Sequence, residues 1–146
     1  MWSGVIIVGV IRYFTNSGWE IGLSNYPIYA PYLLGALFGA FFGQFATTRL
    51  VIERPAPTRF AAFFALTTIA TIGLTALFFF ISHRAYFAQW HANSWSITWF
   101  FQMLFTGLGT AYLFISTGLR PFVPWTVIML AIASFSFSRG RFPSLR

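Results

Sequence analysis

Four stretches of the chain carry no Asp, Glu, Lys or Arg: residues 21–48, 60–83, 85–119 and 121–138, with lengths of 28, 24, 35 and 18. A helix rises about 1.5 Å per residue, so roughly 20 apolar residues cross the ~30 Å hydrocarbon layer of a bilayer. The pattern predicts an all-α integral membrane protein, a compact bundle of four transmembrane helices near residues 2–14, 28–48, 60–82 and 96–118. A fifth apolar segment, 121–138, either spans or lies in the interface, and residues 1–146 form one helical transmembrane domain. Segment 2–14 is marginal, because it reaches only about 20 Å as a helix and already holds Arg12. Segment 121–138 is marginal too, since Pro121 and Pro124 spoil its first turn unless they sit at a helix start.

The connections are short. Residues 15–27 (TNSGWEIGLSNYP) are rich in Asn, Ser and Gly, residues 49–59 (RLVIERPAPTR) are broken by Pro55 and Pro57, and residues 83–95 form the third. Trp19, Tyr26, Trp90, Trp95 and Trp99 flank the apolar runs on one expected interface, and Trp125 follows Arg120 near the other. If every segment crosses, Arg49, Arg54, Arg59 and Arg120 face Arg12, Arg84, Arg139, Arg141 and Arg146 across the membrane, which sets no orientation. If 121–138 does not cross, the tail joins the first group and the positive-inside rule is obeyed. The favoured arrangement is therefore four crossings with both termini cytoplasmic, in a membrane of the bacterial inner (cell) membrane type.

Composition narrows the chemistry. Hydrophobic residues make up 58% of the chain, mean hydropathy is +0.72, and the net charge of +7 comes from nine Arg against two Glu. Those Arg residues stand singly between apolar runs, which fits membrane flanks and lipid phosphate, and no nucleic-acid partner is expected. The absence of Cys excludes disulfides, thiolate metal sites and thiol nucleophiles, and the absence of Lys excludes Schiff-base chemistry. Glu20 and Glu53 are the only carboxylates, and no Asp exists to orient His83 or His91 in a hydrolase triad. No catalytic residue, metal site or cofactor is expected. Glu20, His83 and His91 fall on one side of the threading, but the spacing of the two histidines matches no helical metal pair.

Three helix faces stand out. Gly35, Gly39 and Gly43 recur every four residues, a face that lets another helix come close; its partner is this chain, a second copy or another protein. Thr67, Thr71 and Thr75 form one polar stripe, and Thr98, Gln102, Thr106 and Thr110 another, either as packing seams or as a polar path between the second, third and fourth spans. Gln102 cannot satisfy its amide within its own helix and needs a partner elsewhere. Twenty Phe make the surface strongly aromatic, as lipid-facing filler or as a seat for a flat quinone or pigment.

At the basic hinge, Arg49 and Glu53 stand four apart and pair if the helix runs on, leaving Arg54 and Arg59 for phosphate. Arg49, Arg54 and Arg59 are the candidates for lipid phosphate. Arg12 either snorkels to the interface or lies within the membrane as a functional charge.

Two spans, the hinge RLVIERPAPTRF and two more spans make the layout similar to the GtrA-like family of small four-helix proteins. That resemblance implies carriage of polyprenyl-linked sugars across the membrane. It does not extend to the end of the second span, where this chain reads QFATTRLVIE and the family typically has an Asn-Phe and basic-aromatic stretch, so no functional residue is carried over.

The expected function is that of a non-catalytic small polytopic membrane protein, an accessory or stabilising subunit packed in a larger membrane complex. Its expected partners are membrane lipids and either other membrane protein subunits or a second copy. The alternative is a small dimeric carrier or flippase for a lipid-linked or phosphorylated substrate, with the Thr/Gln stripes as its path and the Arg hinge gathering the headgroup.

Overall fold

The computed structural model describes residues 2–18 and 26–140. It is 88% helical with no strand among the described residues. The helices are α1 (Trp2–Asn16), α2 (Tyr26–Val51), α3 (Ala56–Phe87), α4 (Ile97–Leu113) and α5 (Trp125–Arg139). Three stretches are long and apolar enough to cross a membrane: Ile28–Val51, Ala56–Trp90 and Ile97–Phe122. The apolar stretches of α1 and α5 are shorter than a span.

α2 and α3 form the spine. Gly35 lies against Thr75, Gly39 against Thr71 and Gly43 against Thr67, so each four-residue step along α2 is matched by a four-residue step back along α3. The same register reaches Thr47 and Phe63, both fully buried. The helices are therefore antiparallel and nearly in backbone contact. A Cβ added to Gly43 would stand 2.6 Å from the Thr67 Cα, and one on Gly35 2.9 Å from the Thr75 Cα. In lipid, where apolar burial no longer drives association, such closeness supplies dispersion contact that larger residues forfeit.

α1 and α5 lie side by side against this spine. Gly9 meets Thr126, where an added Cβ would stand 2.9 Å from the Thr126 Cα, so the two short helices also touch through a glycine. Ile6 joins Ala36, Ala40, Phe63, Leu130, Ala133 and Phe137 in one buried cluster, and the Phe63 and Phe137 rings stack at 4.4 Å. A second cluster gathers Val10, Phe14, Tyr32, Phe114 and Phe122 toward the other end. α1 thus runs away from the α2–α3 hinge, and α5 runs back toward it.

The hinge shortens, with α2 running to Val51 and α3 starting at Ala56, and two larger departures from the expected boundaries follow. α3 continues through His83 and Arg84 to Phe87 before a 3-10 turn at Ala88–Trp90, because a single Arg interrupts an apolar run without breaking a helix. After α4 the chain passes through a π-helical stretch, Phe114–Gly118, and a 3-10 turn, Arg120–Phe122, so α5 starts only at Trp125, beyond both prolines. At about 1.5 Å per residue α5 is only ~22 Å long, which explains why it starts partway along the bundle, level with Gly9.

α4 crosses the far end of α3. Trp99 takes the Arg84 guanidinium at 5.6 Å, and Phe114 meets Phe79 at 5.7 Å. Between these two contacts α4 advances from Trp99 to Phe114 while α3 retreats only from Arg84 to Phe79, so α4 keeps to the far end of α3. The chain then turns in beside Tyr32, and Arg120 comes to the far half of the bundle. Among the described residues Arg49, Arg54, Arg59 and Arg139 gather at the hinge end, while Arg12, Arg84 and Arg120 occupy the far half. Trp19, Glu20, Arg141 and Arg146, used in the sequence reading of orientation and metal binding, lie outside the described residues.

Candidate functional site

The glycine face and the first threonine stripe are turned toward each other. The Thr75 hydroxyl donates to the Thr71 carbonyl at 2.7 Å, inside its own helix. The buried Thr67 and Thr71 hydroxyls have no conventional partner and face the positions where Gly43 and Gly39 carry only hydrogen. The Thr67 oxygen would stand 2.5 Å from a Cβ on Gly43, which leaves the glycine Cα–H as the weak donor nearest to it. That contact recurs one repeat on, at Gly39, which rationalises Thr here as a small residue whose oxygen still finds a weak donor. It also turns the Thr67 and Thr71 hydroxyls toward α2 and away from any ligand.

The second stripe faces elsewhere. Gln102 Oε1 accepts the Ala92 backbone N–H at 2.8 Å, which places the partner of the amide in the connection after α3. The Thr106 hydroxyl lies 3.4 Å from His91 Nε2, and Thr110 returns its hydroxyl to the Thr106 carbonyl at 2.7 Å. Thr98 is exposed. This stripe therefore fastens α4 to residues 91–92, and α4 itself starts from a Ser96 side chain that accepts the Trp99 N–H at 3.0 Å. His83, Phe87, Phe105, Thr106 and Thr110 border an open groove of about 360 Å³ at the far end. No group of three metal-ligating side chains occurs among the described residues. The two stripes do not face one another, so they line no continuous path between α2, α3 and α4.

At the hinge the three arginine candidates separate. Arg59, in the first turn of α3, reaches across to α5: its Nη2 donates to the Ser138 carbonyl at 2.6 Å and its Nη1 to the Gly140 carbonyl at 3.3 Å. A cation on the last carbonyls of a helix satisfies orphan acceptors and the negative end of the dipole together. This binding of Arg59 differs from the expected exposed phosphate ligand. Arg49 and Arg54 stay exposed, with Arg49 over the Phe45 ring at 5.3 Å. α2 ends at Val51, so Glu53 falls in the turn beyond it and the helical Arg49–Glu53 pair does not form.

The sequence reading did not single out Tyr32. Its hydroxyl donates to the Gly118 carbonyl at 3.0 Å, and its ring meets Phe14, Phe79 and Phe122 within 5.7 Å. The available signal was a tyrosine deep in an apolar run, whose hydroxyl needs a partner once buried. Compared with known protein families, curated proteins and solved structures, the chain matches none.

Proposed function

We propose that this chain is a non-catalytic, multi-pass membrane protein that acts as an accessory subunit, offering α4 to a larger membrane protein. The observation that carries the reading is the exposure of α4. Only 11% of the most apolar part of Ile97–Phe122 is buried within the chain, against 17% for Ala56–Trp90 and 39% for Ile28–Val51. Ile97, Phe100, Phe105, Leu108 and Tyr112 all face outward, while the polar stripe of α4 is spent on its own connection. The glycine face is already filled by α3, so the docking surface moves from α2 to α4. The separation of the two stripes favours this reading over a carrier. α1 starts in the hinge half of the bundle, and α5 ends at the basic hinge, the end we take as the cytoplasmic side.

The absence of cysteine makes the test direct. A single Leu108→Cys should cross-link to a stoichiometric larger protein in native membranes, and Ile69→Cys, exposed on α3, should not. Cross-linking of Leu108→Cys only to a second copy, or to no protein, would overturn the accessory role.

A further inference from the structure

A slot of about 160 Å³ opens between α3 and α5, with Ile6 of α1 at its back. It runs from Leu119 and Phe122 at one end to Phe64 and Leu130 at the other. Along α3, from Ile72 to Phe64, that is about 12 Å.

Three threonines border the slot, yet none offers it a hydroxyl. Thr68 donates to the Phe64 carbonyl at 2.6 Å, Thr126 donates to the Pro121 carbonyl at 3.2 Å, and the Thr71 oxygen is turned to Gly39. An apolar cavity of about 150 Å³ stays dry and accepts hydrocarbon guests. The slot is level with the middle of the α2–α3 ladder and open at its side, so a guest enters from the surrounding hydrocarbon.

Charge says what kind of guest. Arg120 stands in the chain between the lining residues Leu119 and Phe122, beside the slot and not in its wall; it is exposed and makes no side-chain hydrogen bond or ion pair among the described residues. Of the two carboxylates in the chain, Glu53 is at the opposite end of the bundle and Glu20 lies outside the described residues. An anion for Arg120 therefore comes from outside the described chain. We infer that the slot seats one acyl chain of an anionic glycerophospholipid whose phosphate is held by Arg120. This rests on the membrane location of the chain and not on its accessory role, so failure to find a protein partner leaves it standing.

Native mass spectrometry of the protein released from mixed phosphatidylglycerol and phosphatidylcholine nanodiscs tests the inference. One phosphatidylglycerol should be retained per chain, favoured about fivefold over phosphatidylcholine of the same acyl chains, as one Arg near a phosphate allows. Arg120→Gln should abolish that preference. Val127→Phe, which fills the slot, should abolish retention, while Ile132→Phe, exposed further along α5, should not. If Val127→Phe does not fold, a phosphatidylglycerol with a photoreactive acyl chain reads the unaltered protein, and the labelled peptides should hold Val127 or Phe64. Equal retention of both lipids, labelling elsewhere only, or retention by folded Val127→Phe would overturn the proposal. So would a polyprenyl phosphate as the retained lipid.

Discussion

Arg59 donates to the backbone carbonyl of Ser138, joining the first turn of α3 to the last turn of α5 at 2.6 Å. The bond adds to the Phe63–Phe137 stack in holding the end of this short helix against α3. Arg59→Ala should destabilise the protein by about 2 kcal/mol, the scale of a hydrogen bond to a charged group. Arg59→Lys should recover only part of this, because an ammonium does not span two carbonyls as a planar guanidinium does. Unfolding in graded detergent denaturant measures the total. Faster protease cleavage near Gly140 than in the α2–α3 hinge would locate it.

The same contact makes a prediction about sidedness. Single cysteines at Glu53 and Gly140 should react with a membrane-impermeant thiol reagent from one face, and one at Ser94 from the other. Labelling of residues 53 and 140 from opposite faces would contradict the return of α5 to the hinge.

The glycines should divide into two classes. At Gly39 an added Cβ would meet the Thr71 backbone nitrogen at 2.7 Å, whereas at Gly109 it would meet nothing within 4 Å. Gly39→Ala should therefore lower stability by about 1–3 kcal/mol, as overpacking does. That loss should exceed the gain of up to ~1 kcal/mol from a better helix former. Gly109→Ala should be neutral or stabilising by up to about 1 kcal/mol. Equal effects at both sites would remove the close α2–α3 approach from the account.

Much of this was written in the spacing of residues. The four-residue repeats of Gly35, Gly39 and Gly43 and of Thr67, Thr71 and Thr75 were each visible, because one helical period puts each set on one face. Their mutual register was not, since a repeat on one helix names no partner. The end of α3 was misplaced because Arg84 interrupts a run of hydropathy, while backbone geometry responds to breakers and not to charge. Arg59 shows the same difficulty at the candidate site: its charge suggested phosphate, but the acceptors are carbonyls some 80 positions away. Pro121 and Pro124 did signal the late start of α5. Nothing local signalled that α4 would keep to the far end of α3, because that placement is set by contacts between Trp99 and Arg84 and between Phe114 and Phe79.

Tyr32 offers the most local test of the turn between α4 and α5. Its ring packs edge-on to Phe14 at 5.4 Å and to Phe79 at 5.2 Å, so Tyr32→Phe preserves the packing and removes only the oxygen that donates to Gly118. The buried Gly118 carbonyl then loses a donor in an irregular stretch, and an added side chain at Gly118 could not replace it without striking the Phe114 ring. The expected cost is about 1–3 kcal/mol, that of leaving a buried acceptor unsatisfied. The loss should concentrate where the bond acts. Amide exchange across residues 114–122 should accelerate while the α2–α3 ladder keeps its protection, since Phe63 and the glycine contacts are untouched. Unchanged exchange in 114–122 would mean that the aromatic cluster alone holds the turn.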